Sequence, residues 1–197
     1  MKRTAVALIG VLVVAACTPI GAPARSIALG QGDVIATSPA GYCVDRVSSQ
    51  PANDFAVLAP CATLGAESAV PRIVGVATVQ VGPPESGTVV SDEIALRDFL
   101  ITREGASLLS QSGNAAAITI LSSQAFNSQV MIYFSDAGPP PLAGLQREEW
   151  RAFTNVSGRL VSIGVRGLAA APLKDGPGAT LLKRMVAGVT APEDADR

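Results

Sequence analysis

The residue that most constrains this chain is Cys17, because the segment before it decides how many residues remain to fold and in which redox compartment. Lys2 and Arg3 precede an unbroken run of apolar residues and one glycine from Ala5 to Ala16. Behind a positive start, that length suits the ~7–15 residue apolar region of a secretory signal. It falls short of the about 20 apolar residues of a bilayer-spanning helix, and Cys17-Thr18-Pro19 ends it. Residues 1–16 therefore read as a signal peptide that is removed, and folding is expected in an oxidising space.

The run closes on Val14-Ala15-Ala16-Cys17, small residues directly before a cysteine. This resembles the lipobox of bacterial lipoproteins. The resemblance implies that Cys17 is acylated with diacylglycerol, that the preceding peptide is cut away, and that the new N-terminus is acylated again. A plain cleaved signal with a free Cys17 is the alternative. At about 0.8 kcal/mol per buried CH₂, one acyl chain holds weakly and two or more hold firmly, so three palmitate-like chains would keep the protein on the membrane. Thr18, where lipoproteins retained at the inner membrane often carry Asp, favours the outer membrane. Residues 17–26, with Pro19 and Pro23, read as a lipidated tether. The stretch Gly41-Tyr42-Cys43-Val44-Asp45, followed by a cysteine after an apolar strand, is similar to small uncharacterised lipoproteins of proteobacteria, a group without an established activity.

With Cys17 given to lipid, Cys43 and Cys61 remain, and in an oxidising space they are expected to form a disulfide. Two buried free thiols are the competing reading. A metal pair is disfavoured because zinc needs four nitrogen or sulfur ligands and the chain has no histidine.

A single α+β domain is expected over 27–190, an antiparallel sheet with two to three helices packed on it, and 191–197 reads as a flexible tail. Val34-Ile35-Ala36-Thr37, Tyr42 to Asp45, Phe55 to Leu58 and Ile73 to Val81 are β-rich runs separated by turn signals. Ser91-Asp92-Glu93 combines a cap residue with acids suited to a helix start. Leu96, Phe99, Leu100 and the stem of Arg103 then predict a core-facing stripe, with Gly105 as the interruption. Ala117 to Leu121 and Val130 to Phe134 are nearly continuous apolar runs, which predicts central strands covered on both faces. Asp136 to Pro141 reads as a stiff surface linker. Asn155-Val156-Ser157-Gly158 predicts a hairpin between Trp150–Thr154 and Arg159–Val165. From Asp175-Gly176-Pro177 a last helix is expected, with Leu181, Leu182, Met185, Val186 and Val189 on one face. This element order resembles the antiparallel sandwich of PsbP-like proteins, and such a likeness implies no activity.

Function is constrained mainly by exclusion. Fifteen Lys and Arg against sixteen Asp and Glu leave no basic footprint for nucleic acid. Without histidine there is no Ser-His or Cys-His pair, and no Gly-x-Ser-x-Gly elbow or Ser-x-x-Lys dyad occurs. Thr180-x-x-Lys183 has the spacing of an amphipathic helix, and the adjacent acids Asp92/Glu93 and Glu148/Glu149 read as helix-start acids rather than a catalytic pair. Arg166 is paired by guess with Asp45. Trp150 and Tyr42 read as core anchors rather than pocket or partner residues. The expectation is a cell-envelope lipoprotein facing the periplasm. It would be a non-enzymatic accessory or binding module without metal or cofactor, partnered by the membrane through its anchor and by another envelope protein. The alternative is an envelope hydrolase using carboxylate or serine chemistry.

Overall fold

The computed structural model describes residues 23–195, so the signal segment, Cys17 and the last two residues lie outside the described part. Ordered contacts begin before Ile27: Ala24 packs against the core, and its carbonyl accepts from Val44 N–H. Short strands come first, β1 (Ser26–Leu29), β2 (Val34–Thr37), β3 (Tyr42–Val44), β4 (Phe55–Pro60) and β5 (Val76–Val81). Helices α1 (Glu93–Leu100) and α2 (Arg103–Leu109) precede four long strands, β6 (Ile118–Phe126), β7 (Gln129–Asp136), β8 (Glu148–Val156) and β9 (Arg159–Arg166). The chain ends on α3 (Asp175–Ala187), β10 (Val189–Thr190) and the single turn α4 (Pro192–Ala195), so helix is found where a frayed tail was expected.

All pairing is antiparallel. One sheet runs β3-β4-β5-β9-β8-β7-β6 and a smaller one β1-β2-β10. Two-residue turns set the register of the long hairpins. Asn127 and Ser128 (φ 51° and 56°) join β6 to β7, and Ser157 and Gly158 (φ 52° and 77°) join β8 to β9. Positive φ at both central residues matches the twist of the flanking strands. Cys43 and Cys61 form a disulfide across 18 residues with Cα atoms 4.9 Å apart, fastening edge strand β3 to the turn that follows β4.

Strand alternation divides the large sheet into two faces. The first carries Val44, Leu58, Val79, Val161, Ile163 and Val165, packed with Leu181, Leu182 and Met185 of α3 and with Leu29 and Val34 of the small sheet. Trp150 belongs to this core as the sequence suggested. It stacks on Tyr133 with ring centroids 4.2 Å apart, and its Nε1–H donates to Asp175 Oδ1. The second face is covered only in part. Over β6–β8 a separate cluster joins Val130, Ile132 and Phe134 to Leu100 and Leu109 of α1 and α2. Among the described residues, no α-helix covers it over β4, β5 and β9.

Several expectations fail for local reasons. Strand β6 is the sheet edge, not a central strand: Ile118 and Ile120 face the helices while Leu121 is exposed. The helix after Ser91 is capped by Asp92, which accepts from Ala95 N–H. It breaks at Ile101-Thr102 rather than at Gly105, because Thr102 accepts from Gly105 N–H and caps α2. Gly105 permits the close approach of the two helices instead, since a Cβ there would lie 2.1 Å from Phe99 O. Only Leu96 and Leu100 of the expected stripe face the core, and Phe99 and Arg103 are exposed. Val189 packs inward from β10, beyond the end of α3. Asp136 is a buried end of β7, where its carboxylate accepts from Gln111 and Gly138 N–H groups.

Candidate functional site

The uncovered part of the second face is concave. A cavity of about 390 Å³ lies there, floored by β4, β5, β9 and β8 and walled by the 47–50 and 141–145 loops. Phe55 and Val57 of β4 and Val76 of β5 supply apolar floor, and Leu142 and Leu145 supply apolar wall. Thr78, Gly164, Glu149, Arg151 and Arg166 make the rest of the floor polar.

These polar residues converge because four strands place them in register. On β8, Trp150 and Ala152 point into the first core, so Glu149 and Arg151 point the other way. On β9, Ile163 and Val165 point inward and Gly164 and Arg166 outward. Arg151 is directly opposite Gly164, and Gly164 is opposite Thr78. One step beyond the Trp150–Val165 pair, Glu149 meets Arg166.

Glu149 is buried between two guanidinium groups. Arg151 Nε–H donates to Oε1 at 2.7 Å, and Arg166 Nη2 lies 2.5 Å from Oε2. The second contact is an ion pair between two buried atoms, and neither has another partner among the described residues. Arg166 is otherwise fixed by donating from Nη1 to the carbonyls of Gln146 and Arg147. Arg151 is steadied by Phe134, whose ring centroid is 5.2 Å from the guanidinium carbon. Gly164 makes space for the carboxylate, since a Cβ there would stand 2.5 Å from Glu149 Oε1.

This cluster corrects two sequence expectations. Arg166 pairs with Glu149, not Asp45; Asp45 instead closes its own turn, accepting from the N–H groups of Val47 and Ser48 and from Ser48 Oγ–H. Glu148 and Glu149 lie on a strand rather than at a helix start, so they face opposite sides of the sheet. The cluster was missed because its members are distant in sequence. The signal was nonetheless present: Glu149 and Arg151 alternate with Trp150 and Ala152, and Gly164 and Arg166 alternate with Ile163 and Val165. Of the other candidates, Thr180 is exposed and its hydroxyl donates to Gly176 O within α3, in no dyad with Lys183. Tyr42 is buried in the first core. Its hydroxyl donates to Ile73 O and accepts from Gly75 N–H, and burial pushes its pKa up to about 12. Cys17 lies outside the described residues. Among those residues, no helix is long and apolar enough to cross a membrane.

No family model matches the chain, and no curated protein matches it in sequence. Among solved structures it is similar to a point mutant of protein Mog1, at 11% identity over 84% of this chain and 94% of that one, with a TM-score of 0.48. The Ran-binding protein Mog1p of Saccharomyces cerevisiae gives 12% identity, 86% and 95% coverage, and a TM-score of 0.48. The cyanobacterial PsbP protein of Synechocystis sp. PCC 6803 gives 12%, 89%, 96% and 0.43. Likenesses at this level carry nothing about what this chain binds.

Proposed function

We propose that the protein is a non-enzymatic binding module of the cell envelope, tethered by acyl chains on Cys17, facing the periplasm, and taking a small ligand into the cavity over β4, β5, β9 and β8. One observation carries the binding reading: a concave site with apolar walls converges on the Arg151–Glu149–Arg166 cluster, in which the terminal nitrogens of Arg151 make no hydrogen bond among the described residues. Convergent polar groups in an apolar pocket are the usual form of a small-molecule site, and guanidinium donors left over in a mostly buried floor are costly unless something pairs with them. The signal-like N-terminus with its small-small-Cys ending and the Cys43–Cys61 disulfide support an extracytoplasmic setting, and Thr18 supports the outer membrane. Hydrolase chemistry gains nothing from this site. Both oxygens of Glu149 face guanidinium groups, and Ser48, the serine at the rim, donates its hydroxyl to Asp45 in a turn.

Two measurements test the proposal. Mass spectrometry of the mature N-terminus is expected to show triacylated Cys17; an unmodified Cys17, or cleavage elsewhere, overturns the anchor. Amide chemical-shift mapping of the folded part against a library of small molecules should place the perturbations on Val57, Thr78 and Gly164. A library whose binders all map elsewhere overturns the site.

A further inference from the structure

Resting on the reading of that cavity as a binding site, we infer that its ligand is a monocarboxylate with an apolar body, held by Arg151 over the Arg166–Glu149 pair. The charged side chains lining the cavity are Arg151, Arg166 and Glu149. Glu149 offsets one guanidinium, leaving one unit of positive charge in a largely desolvated floor. A single negative charge complements it. A cationic ligand would meet repulsion, and a dianion would bring one charge more than the floor can balance.

The donors are also in place. A guanidinium offers five N–H groups in a planar fork that suits carboxylate oxygens. Arg151 spends its Nε–H on Glu149, and its terminal nitrogens make no hydrogen bond among the described residues. Arg166 spends Nη1 on two carbonyls, and its Nη2, buried against Glu149 Oε2, contributes charge to the floor rather than a donor to the ligand. Above them Phe55, Val57, Val76, Leu142 and Leu145 offer only apolar surface. The anionic head therefore sits on the β8–β9 floor and the apolar body lies against β4 and the 141–145 wall. At about 390 Å³ the cavity is near the small end of ligand sites, which run to ~300–1,000 Å³, so the body is a short chain or a single ring system.

The test compares decanoate, decanol and decyl phosphate, which share one apolar body and differ in head-group charge. Calorimetry on the folded protein measures affinity, and amide shifts report location. Decanoate is expected to bind at least about tenfold more tightly than decanol, as loss of a charge-assisted hydrogen bond predicts. It should also bind more tightly than decyl phosphate, perturb Val57, Thr78 and Gly164, and lose about tenfold in Arg151→Gln. Equal affinity for decanol, or tighter binding of decyl phosphate, with the same residues perturbed, overturns the carboxylate assignment and leaves the cavity as a binding site. Binding of none of the three, or shifts confined to exposed apolar residues of α1 and α2 such as Ile94 and Leu108, overturns the cavity reading as well. The comparison of ligands on the unaltered protein decides the matter even if Arg151→Gln fails to fold.

Discussion

Gly164→Ala asks whether the Glu149 carboxylate is pinned by its arginines or free to swing. Two effects oppose each other at this position. Glycine inside a strand costs roughly 0.5–1 kcal/mol relative to alanine, so the substitution stabilises wherever the new methyl meets no obstacle. Here the added Cβ stands 2.5 Å from Glu149 Oε1 and 2.9 Å from Thr78 Oγ1. Ordinary contact begins at 3.4 Å, so Oε1 must retreat by about 0.9 Å. That retreat can lengthen the 2.7 Å contact to Arg151 Nε by up to about 0.9 Å, to about 3.6 Å, where the hydrogen bond is lost. A hydrogen bond to a charged group contributes about 1.5–3 kcal/mol, which outweighs the strand gain and leaves a net loss of about 1–2 kcal/mol.

Urea unfolding reads this as a lower midpoint at unchanged m, and a thermal melt as a fall of about 2–4 °C per kcal/mol for a chain of this size. The cause is isolated by repeating the substitution in a Glu149→Ala background, where no carboxylate remains to displace. Glu149→Ala should itself cost about 3–5 kcal/mol, because it strands two guanidiniums in a buried floor. Adding Gly164→Ala to it should cost nothing and recover up to about 0.5–1 kcal/mol of strand gain, giving a coupling of about 1.5–3 kcal/mol. A Gly164→Ala protein as stable as the parent, or more stable, refutes the claim that Arg151 and Arg166 hold the carboxylate in place.

Three other outcomes follow from the same geometry. Replacing Cys43 and Cys61 together by serine should lower unfolding stability by about 3 kcal/mol, the chain-entropy value for a loop of 18 residues, and reductant should have no further effect on that variant; an unchanged denaturation midpoint would count against the crosslink. Gly178→Ala should destabilise although it improves helix propensity by up to about 1 kcal/mol, since its Cβ would fall 2.5–2.6 Å from three Trp150 ring atoms and Tyr133 blocks the ring's retreat; a higher melting temperature would show that α3 or the ring yields easily. Tyr42→Phe should cost about 1 kcal/mol at neutral pH through its lost bonds to Ile73 and Gly75. Because burial raises the folded-state pKa to about 12 from an unfolded value near 10, the phenol's contribution is intact below about pH 10 and is lost as pH climbs towards 12. The stability gap between parent and variant should therefore shrink over that range, and a constant gap contradicts the buried-phenol argument.

Where pattern and local chemistry agree, the chain can be read directly. Asn155-Val156-Ser157-Gly158 announces a tight hairpin, and the structure puts a two-residue turn at Ser157-Gly158. Asp175-Gly176-Pro177 starts α3, and Leu181, Leu182 and Met185 face inward as their spacing requires. Apolar content misleads for β6, whose run is as continuous as that of β7. Edge or centre is decided by which strands pair across long separations, and nothing within Ile118–Phe126 encodes that β7 has β8 on its other side while β6 has no second partner among the described residues.

The cavity shows the same limit most clearly, because its chemistry depends on register rather than on any motif. Glu149 meets Arg166 only because the Ser157-Gly158 turn contains two residues, so that counting back along β8 and forward along β9 brings position 149 opposite position 166. One more residue in that turn would shift the partners, and a slip of one along β8 would send Glu149 into the apolar core and Trp150 out of it. The cost of burying an unpaired carboxylate there therefore acts against the wrong register, much as the apolar residues on the first face favour the right one. The ion cluster and the hairpin turn thus select the same pairing by independent means, and the floor of the proposed binding site also helps to specify the sheet that builds it.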